Sequence, residues 1–296
     1  MTTPQSDAHV PQTVHVIEPG RGGLRPHLKE LWEYRGLFWV LATRDIQIRY
    51  KQTLLGAGWA IIVPLMTMVV FTVLFQLLSG ARPVTSGTPY AVTMFCALLP
   101  WQLFASGVGS AGNSIVNAGG MIKKVYFPRL IVPAAAMLTA LVDFSITFGV
   151  LVLMLAGYHL AGAIHFTFTW HLLLLPLFIA LAVGAALSVG LWLAALNATW
   201  RDVKYVIPFF VQLGMYVSPV ILEAGAITGK IPEALRPLYF LNPMAGVIEG
   251  FRWSLLPNYP HPPVAMLCLS ALVVAVVGVS GLWFFHRSER SFIDLL

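Results

Sequence analysis

The chain has 296 residues, of which 58% are hydrophobic and only 10% charged, with a formal net charge of +6. A soluble domain carries about 25% charged residues, so there is too little charge here to cover the one or two water-soluble domains that the length would allow, and most of the surface must face lipid. The basic residues gather at the edges of apolar runs, which excludes nucleic-acid binding as the reason for the positive balance.

In chain order, residues 1–27 read as a flexible cytoplasmic tail; Met1 to Gly20 is polar and has no apolar core of the kind a cleavable signal peptide needs, so none is expected. Residues 28–56 read as an interface helix and its run-in. Leu28, Leu31, Trp32, Phe38 and Leu41 recur near helical spacing, and Lys29, Glu30, Glu33 and Arg35 fall largely on other positions. This pattern predicts an amphipathic helix over Leu28–Ala42 lying on the cytoplasmic membrane face. The alternative is a snorkelling lead into the first span.

Residues 57–286 read as an all-α transmembrane domain of six helices. A spanning helix needs roughly 20 apolar residues, and six segments come near that length: Trp59–Leu78, Ala91–Val116, Leu130–Ala156, Leu172–Leu196, Tyr205–Leu222 and Val264–Phe285. Lys and Arg then orient the chain. Arg21, Arg25, Lys29, Arg35, Arg44, Arg49, Lys51, Lys123, Lys124, Arg129, Arg201, Lys204, Arg287 and Arg290 fall on one side. Only Arg82, Lys230, Arg236 and Arg252 fall on the other, a split of 14 to 4 that predicts cytoplasmic termini and a cytoplasmic C-terminal tail over residues 287–296. Cys96 and Cys268 both lie in apolar runs and read as buried packing residues.

The connection from Glu223 to Pro263 holds seven prolines, between which the apolar stretches are too short to span. Asn242 before Pro243 marks a helix start, because Asn caps free backbone N–H groups and Pro suits the first turn. The helix it opens, to about Leu256, carries Glu249 and Arg252 three apart. The region of about 223–262 reads as short helices dipping back into the outer leaflet. Irregular backbone at that depth survives only inside protein or along a wet cavity, which points to a gate at the outer end.

Several patterns invite a chemical reading. Gly107-Val-Gly109-Ser-Ala-Gly112 spells a dinucleotide fingerprint, but it falls within an apolar helix and lacks the preceding strand that the fingerprint requires, so close helix packing is the better reading. A G-x-x-x-x-G-K-[ST] phosphate loop does not occur. Asp143 is the sole acid in a well-defined span; a mid-helix charge costs roughly 2.5–3.5 kcal/mol on insertion scales, so Asp143 either lines a polar path or bonds a neighbouring helix. His159, His165 and His171 share one external loop at a spacing of six, which does not align them on one helix face as metal ligands. Asn197-Ala198-Thr199 has the glycosylation pattern on the predicted cytoplasmic side, where it is discounted. Trp59, Trp101, Phe104, Phe209, Phe210 and Tyr216 either form interfacial belts and core or offer flat faces to sugar rings along a path.

Six motifs in order resemble a known family. They are Arg44-Asp45-Ile46-Gln47-Ile48-Arg49-Tyr50-Lys51 with Leu55-Gly56, Trp59 and Pro64; Leu99-Pro100-Trp101; Lys124-Val125-Tyr126-Phe127-Pro128-Arg129 with Pro133; Arg201-Asp202-Val203; Ser218-Pro219-Val220-Ile221; and Leu241-Asn242-Pro243-Met244 followed by Arg252. Together they are similar to the permease subunit of ABC-2 type polysaccharide exporters, which handle O-antigen, capsule or teichoic acid.

The resemblance implies six spans, cytoplasmic termini in the inner membrane, an interface helix and re-entrant helices before the last span. It implies a homodimer bound to two ATP-binding cassette subunits that hold ATP and Mg, with no cofactor on this chain. A loop around Lys123, Lys124, Tyr126, Phe127 and Arg129 would couple to the ATPase. Arg44, Arg49 and Lys51 would attract the pyrophosphate of a lipid-linked polysaccharide, and Tyr239, Phe240, Asn242, Pro243, Glu249 and Arg252 would form the outer gate. A drug permease of the same fold, a membrane-embedded glycosyl- or acyltransferase, and a purely structural membrane subunit are the rival readings.

Overall fold

The computed structural model describes residues 32–51, 56, 58–79, 84–85, 88–164, 169–229, 231–257, 259–262, 264–289 and 292. The expected tail at 1–27, residues 28–31 of the expected interface helix, Leu55, Arg82, His165, Lys230, Pro263, Arg290 and residues 293–296 lie outside the described residues.

Among the described residues the secondary structure is helical apart from a two-residue antiparallel pair, Val84–Thr85 with Thr88–Pro89, with turns and short irregular connections between the helices. The helices are α1 (Arg35–Lys51), α2 (Gly58–Ser79), α3 (Tyr90–Asn117), α4 (Gly119–Ile122), α5 (Ile131–Leu160), α6 (Leu175–Thr199), α7 (Val203–Val217), α8 (Ala224–Thr228), α9 (Arg236–Phe240), α10 (Pro243–Leu255) and α11 (Val264–Ser288). Single 3₁₀ turns occur at Trp170–Leu174 and Glu233–Leu235. Among the described residues five helices, α2, α3, α5, α6 (extended by the turn at Trp170) and α11, are long and apolar enough to cross a membrane.

The expected fifth span is shorter than its apolar run. Helix α7 ends at Val217, and Ser218 is already extended, with ψ 156°. Pro219 favours the stop there, since proline disfavours the helical conformation for the residue before it and removes a donor. Fifteen residues rise about 22 Å, short of the roughly 30 Å of hydrocarbon.

Helix α3 is the axis of the bundle. It packs on α6 and α5 along its length and on α2, α7 and α10, and 19 of its 28 residues are buried. Small residues allow this closeness. A Cβ on Gly107 would stand 2.6 Å from the sulfur of Met137 and 2.9 Å from Cβ of Ala186, so the dinucleotide-like motif is a packing seam. Helix α2 is the opposite case, half-buried or exposed along nearly its whole length, and α7 buries Ile207 alone. Of the two cysteines, Cys96 is buried as expected, while Cys268 is exposed, because α11 turns that face away from the bundle.

Helix α1 departs from the amphipathic expectation. It runs on to Lys51, well past Ala42, and its stripe of Leu37, Phe38, Leu41 and Ala42 packs on the chain's own helices, leaving Trp32, Trp39, Val40 and Ile48 exposed. The stripe joins a second core with Ile115, Phe127, Ile131, Leu191 and Phe285. This core lies at the end of the bundle that carries Lys123, Lys124 and Arg287, called the basic end below.

Candidate functional site

Three groups of side chains stand out, one at the far end of the bundle and two at the basic end. At the far end, Asn242 caps α10 by accepting from the Met244 N–H at 3.0 Å, with Pro243 in the first turn. The Asn242 amide donates to the Ser218 hydroxyl at 2.9 Å and so ties α10 to the end of α7. Every residue of α10 from Met244 to Leu255 is buried. Arg252 is 1% exposed and its guanidinium is satisfied throughout: Nε donates to the Thr93 carbonyl (3.2 Å), Nη1 to those of Pro219 (2.6 Å) and Glu249 Oε1 (3.0 Å), and Nη2 to Val220 (2.7 Å). Glu249 also accepts from the Ala224 N–H (2.9 Å) and the Tyr259 hydroxyl (2.8 Å). The ion pair therefore pins α3, the chain after α7, α8 and the segment after α10 to one point. Burial pushes the Glu223 carboxyl above its usual range; Arg252 opposes that shift and Glu249 reinforces it.

Tyr239 and Phe240 of α9 pack, half-buried, beside Ala224, Ala245 and Met266. Next to the cluster, His171 stacks on Trp253 with ring centroids 4.0 Å apart. His159 instead contacts the Ile164 carbonyl at 3.1 Å, so the described histidines of that loop do not converge.

At the basic end, the turn from α4 to α5 has an exposed tip and buried flanks. Lys123, Lys124, Val125 and Tyr126 are exposed; Ile122, Phe127 and Arg129 are buried. Arg129 does not join the tip. Its Nε lies 3.9 Å from Glu289, and its guanidinium sits 5.9 Å over the ring of Phe292, a residue that is itself fully buried. The chain's own C-terminal segment thus occupies the basic group that sequence reasoning assigned to a partner. Asn197 is also buried here, donating to Asn113 (3.0 Å) and to the Gly112 carbonyl (3.1 Å), which takes the glycosylation pattern out of reach.

The third group lines a cavity of about 470 Å³ among α1, α2, α3 and α5. Its polar side holds Arg49, Tyr50, Gln102, Ser106, Asp143 and Thr147, and Trp59 stands among its lining. Asp143 pairs with Arg49 at 2.5 Å, accepts from the Tyr50 hydroxyl and lies 3.5 Å from Ser106 Oγ. Burial and the neighbouring carboxylate push the Tyr50 phenol well above its ordinary range, so it stays a donor. Asp143 is therefore not isolated within its helix. One turn further along α5, Thr147 donates to the carbonyl of Ala60 (3.1 Å), the third residue of α2, so Asp143 lies level with the start of that helix. The other basic candidates are elsewhere: Arg44 pairs with its neighbour Asp45 at 2.8 Å, and Lys51 is exposed.

The aromatic candidates divide into two sets. Trp101 and Phe104 are core residues, with rings 5.2 Å apart, and Trp101 supports α7 at Gly214. Trp59 on α2 and Phe209, Phe210 and Tyr216 on α7 are all more than half exposed. The two least buried helices therefore carry the exposed rings.

Known proteins resemble this chain over most of its length. The pattern of the family described as ABC-2 type transporter matches residues 36–256, from α1 through the far-end cluster. The O-antigen export system permease protein RfbA of Myxococcus xanthus is 26% identical over 263 residues, covering 89% of this chain and 96% of that one. Two permeases of the same description from Klebsiella pneumoniae are 25% and 23% identical over 260 residues, each covering 87% of this chain and 93% of their own length. The chain belongs to the ABC-2 type transporter family, as a multi-pass membrane transport subunit rather than an enzyme.

Proposed function

We propose that this chain is the membrane-spanning subunit of an ATP-driven exporter that moves a lipid-linked polysaccharide, O-antigen first among the class, across the inner membrane. The observation that carries the reading is the end-to-end similarity to three O-antigen export permeases, which leaves little of either chain unmatched. Two copies assemble with their sparsely buried α2 and α7 helices lining a central path. Each copy binds one ATP-binding cassette subunit, which holds ATP and Mg; this chain carries no cofactor. The basic end faces the cytoplasm, in keeping with the 14 to 4 division of Lys and Arg. Helix α7 completes a sixth crossing with the turn at 218–222.

In this mechanism the exposed tip at Lys123–Tyr126 seats on the ATPase, and its buried flanks pass the motion to α1 and α5. The carrier pyrophosphate is drawn in near Arg44, Arg49 and Lys51, since guanidinium groups bind phosphate through paired N–H donors. The glycan passes the exposed rings of Trp59, Phe209, Phe210 and Tyr216, and α10 re-enters the outer leaflet to close the far end. The test is purification with the ATPase encoded beside it. A two-plus-two complex whose ATP hydrolysis rises with lipid-linked glycan is expected. Stimulation by hydrophobic compounds alone would replace this reading with a drug permease, and glycan chemistry by the chain without an ATPase would replace it with a membrane enzyme.

A further inference from the structure

A site for phosphate alone needs cations and N–H donors. The cavity among α1, α2, α3 and α5 has a different chemistry. Its one described cation, Arg49, is matched by Asp143, and the rest of its polar side is hydroxyl and amide. An ionised carboxylate only accepts hydrogen bonds, and at close range it repels phosphate. It suits a partner rich in hydroxyl donors. Gln102 can both give and take, and its amide has no hydrogen-bond partner among the described residues. Trp59, half exposed beside these groups, offers a flat apolar face of the kind that meets the C–H side of a pyranose ring. About 470 Å³ lies within the range of small-ligand sites.

The depth of the cavity fits the same ligand. Helix α2 has 22 residues and rises about 33 Å, close to the thickness of the hydrocarbon layer. Thr147 bonds the third residue of that helix, and Asp143 lies one turn nearer the basic end. The cavity thus lies at the level where α2 begins. Its other wall is apolar, as an amphiphile at that depth requires.

We propose that this cavity receives the sugar attached directly to the carrier's phosphate, with Asp143 and Gln102 reading its hydroxyls, Trp59 stacking on its ring and Arg49 turning from Asp143 to the phosphate. The exchange is feasible because the Arg49 side chain is 45% exposed, so the cation is the partner that water reaches, while Asp143, at 14%, stays in the cavity wall. The sugar hydroxyls then replace Arg49 at the carboxylate, so no charge is stranded. The inference rests on the lipid-linked reading above, and it adds that this chain selects on the first sugar as well as on the lipid.

The test uses the full chain with its ATPase in phosphatidylethanolamine nanodiscs. The probes are undecaprenyl pyrophosphate bearing one hexose and the same carrier without sugar, measured by equilibrium binding. The wild type is expected to prefer the sugar-bearing carrier by about tenfold, since a site built to bond hydroxyls rejects an analogue that lacks them. Asp143→Ala and, separately, Gln102→Ala should bring that preference close to unity while the bare carrier binds as before, or more tightly once Arg49 is released. Equal loss of both carriers in these variants would make Asp143 a structural latch and overturn the proposal. Equal binding of both carriers by the wild type would overturn it too and leave the export reading standing. Binding of neither carrier by the wild type would bring down the lipid-linked reading beneath it.

Discussion

Two of the ion pairs between arginine and carboxylate, Arg49–Asp143 and Arg252–Glu249, differ in a way that distance does not show. Arg49–Asp143 is the shorter, 2.5 Å against 3.0 Å for Arg252–Glu249. Yet the Arg49 side chain is 45% exposed, whereas Arg252 and Glu249 are 1% and 7% exposed. The far-end pair is sealed and its lone pairs and N–H groups are spent on carbonyls, an amide and a phenol. The basic-end pair opens onto a cavity. Water competes for charges that it can reach, so the sealed pair holds structure while the Arg49 side chain is held less tightly.

The largest expected effect comes from breaking the sealed pair. Arg252→Leu strands the Glu249 carboxylate and removes the donors from three carbonyls, at a cost of about 3–5 kcal/mol. Thermal unfolding in detergent should show little or no folded protein. Arg252→Lys should rescue poorly, because one ammonium cannot reach the same spread of acceptors. Replacing both Glu249 and Arg252 with Leu should recover part of the loss. A mild effect of Arg252→Leu would break the comparison.

Next in size is a change that leaves every charge in place. A Cβ on Gly250 would fall within the ring of Phe178, where α10 crosses α6. Gly250→Ala should cost about 1–3 kcal/mol through overpacking, seen as a lower melting temperature. If instead α10 moves aside and stability holds, the far end is softer than its burial implies.

Opening the other pair should cost far less. Asp143→Ala removes the partly buried partner of Arg49 and one acceptor from Tyr50, worth about 1 kcal/mol of stability, since water reaches the half-exposed Arg49 side chain. A melting point near that of the wild type would sharpen the contrast; a collapse like that of Arg252→Leu would erase it.

These contrasts also mark what was legible in the chain and what was not. The start of α10 could be read because a cap is local: Asn242, Pro243 and the Met244 N–H are neighbours. The spans were legible for a similar reason, since apolar length is a property of one segment, although Pro219 cut the fifth short. Glu249 and Arg252 were paired by their spacing, but the carbonyls that seal Arg252 come from Thr93, Pro219 and Val220, which no local pattern links to it. Asp143 looked alone because Arg49 is far away in sequence. Trp101 and Trp59 carry the same ring, and only packing sends the first into the core and the second to the surface. In Arg129 a basic residue in a basic loop looked free, and the residues that cover it, Glu289 and Phe292, lie at the other end of the chain.

The smallest expected effect separates the lysines of that loop from its arginine. Lys123 and Lys124 are exposed beside Val125 and Tyr126, so their replacement should leave the fold intact and act only on docking. Exposed ion pairs are worth about 0.2–1 kcal/mol each, so changing both to Ala should weaken binding of the ATPase by a few-fold in titrations of the purified subunits. Exposed charges are screened by salt over about 10 Å at 0.1 M ionic strength, and the difference between wild type and variant should therefore shrink as salt is raised. Arg129→Ala should behave otherwise. It removes the contact to Glu289 and the cation above Phe292 inside the chain's own basic-end core, so its effect should appear as a lower melting temperature of the isolated permease and should persist at high salt. If Arg129→Ala instead lost its effect in salt and left the melting temperature unchanged, Arg129 would be a docking residue after all, and the C-terminal segment would not be what holds the loop in place.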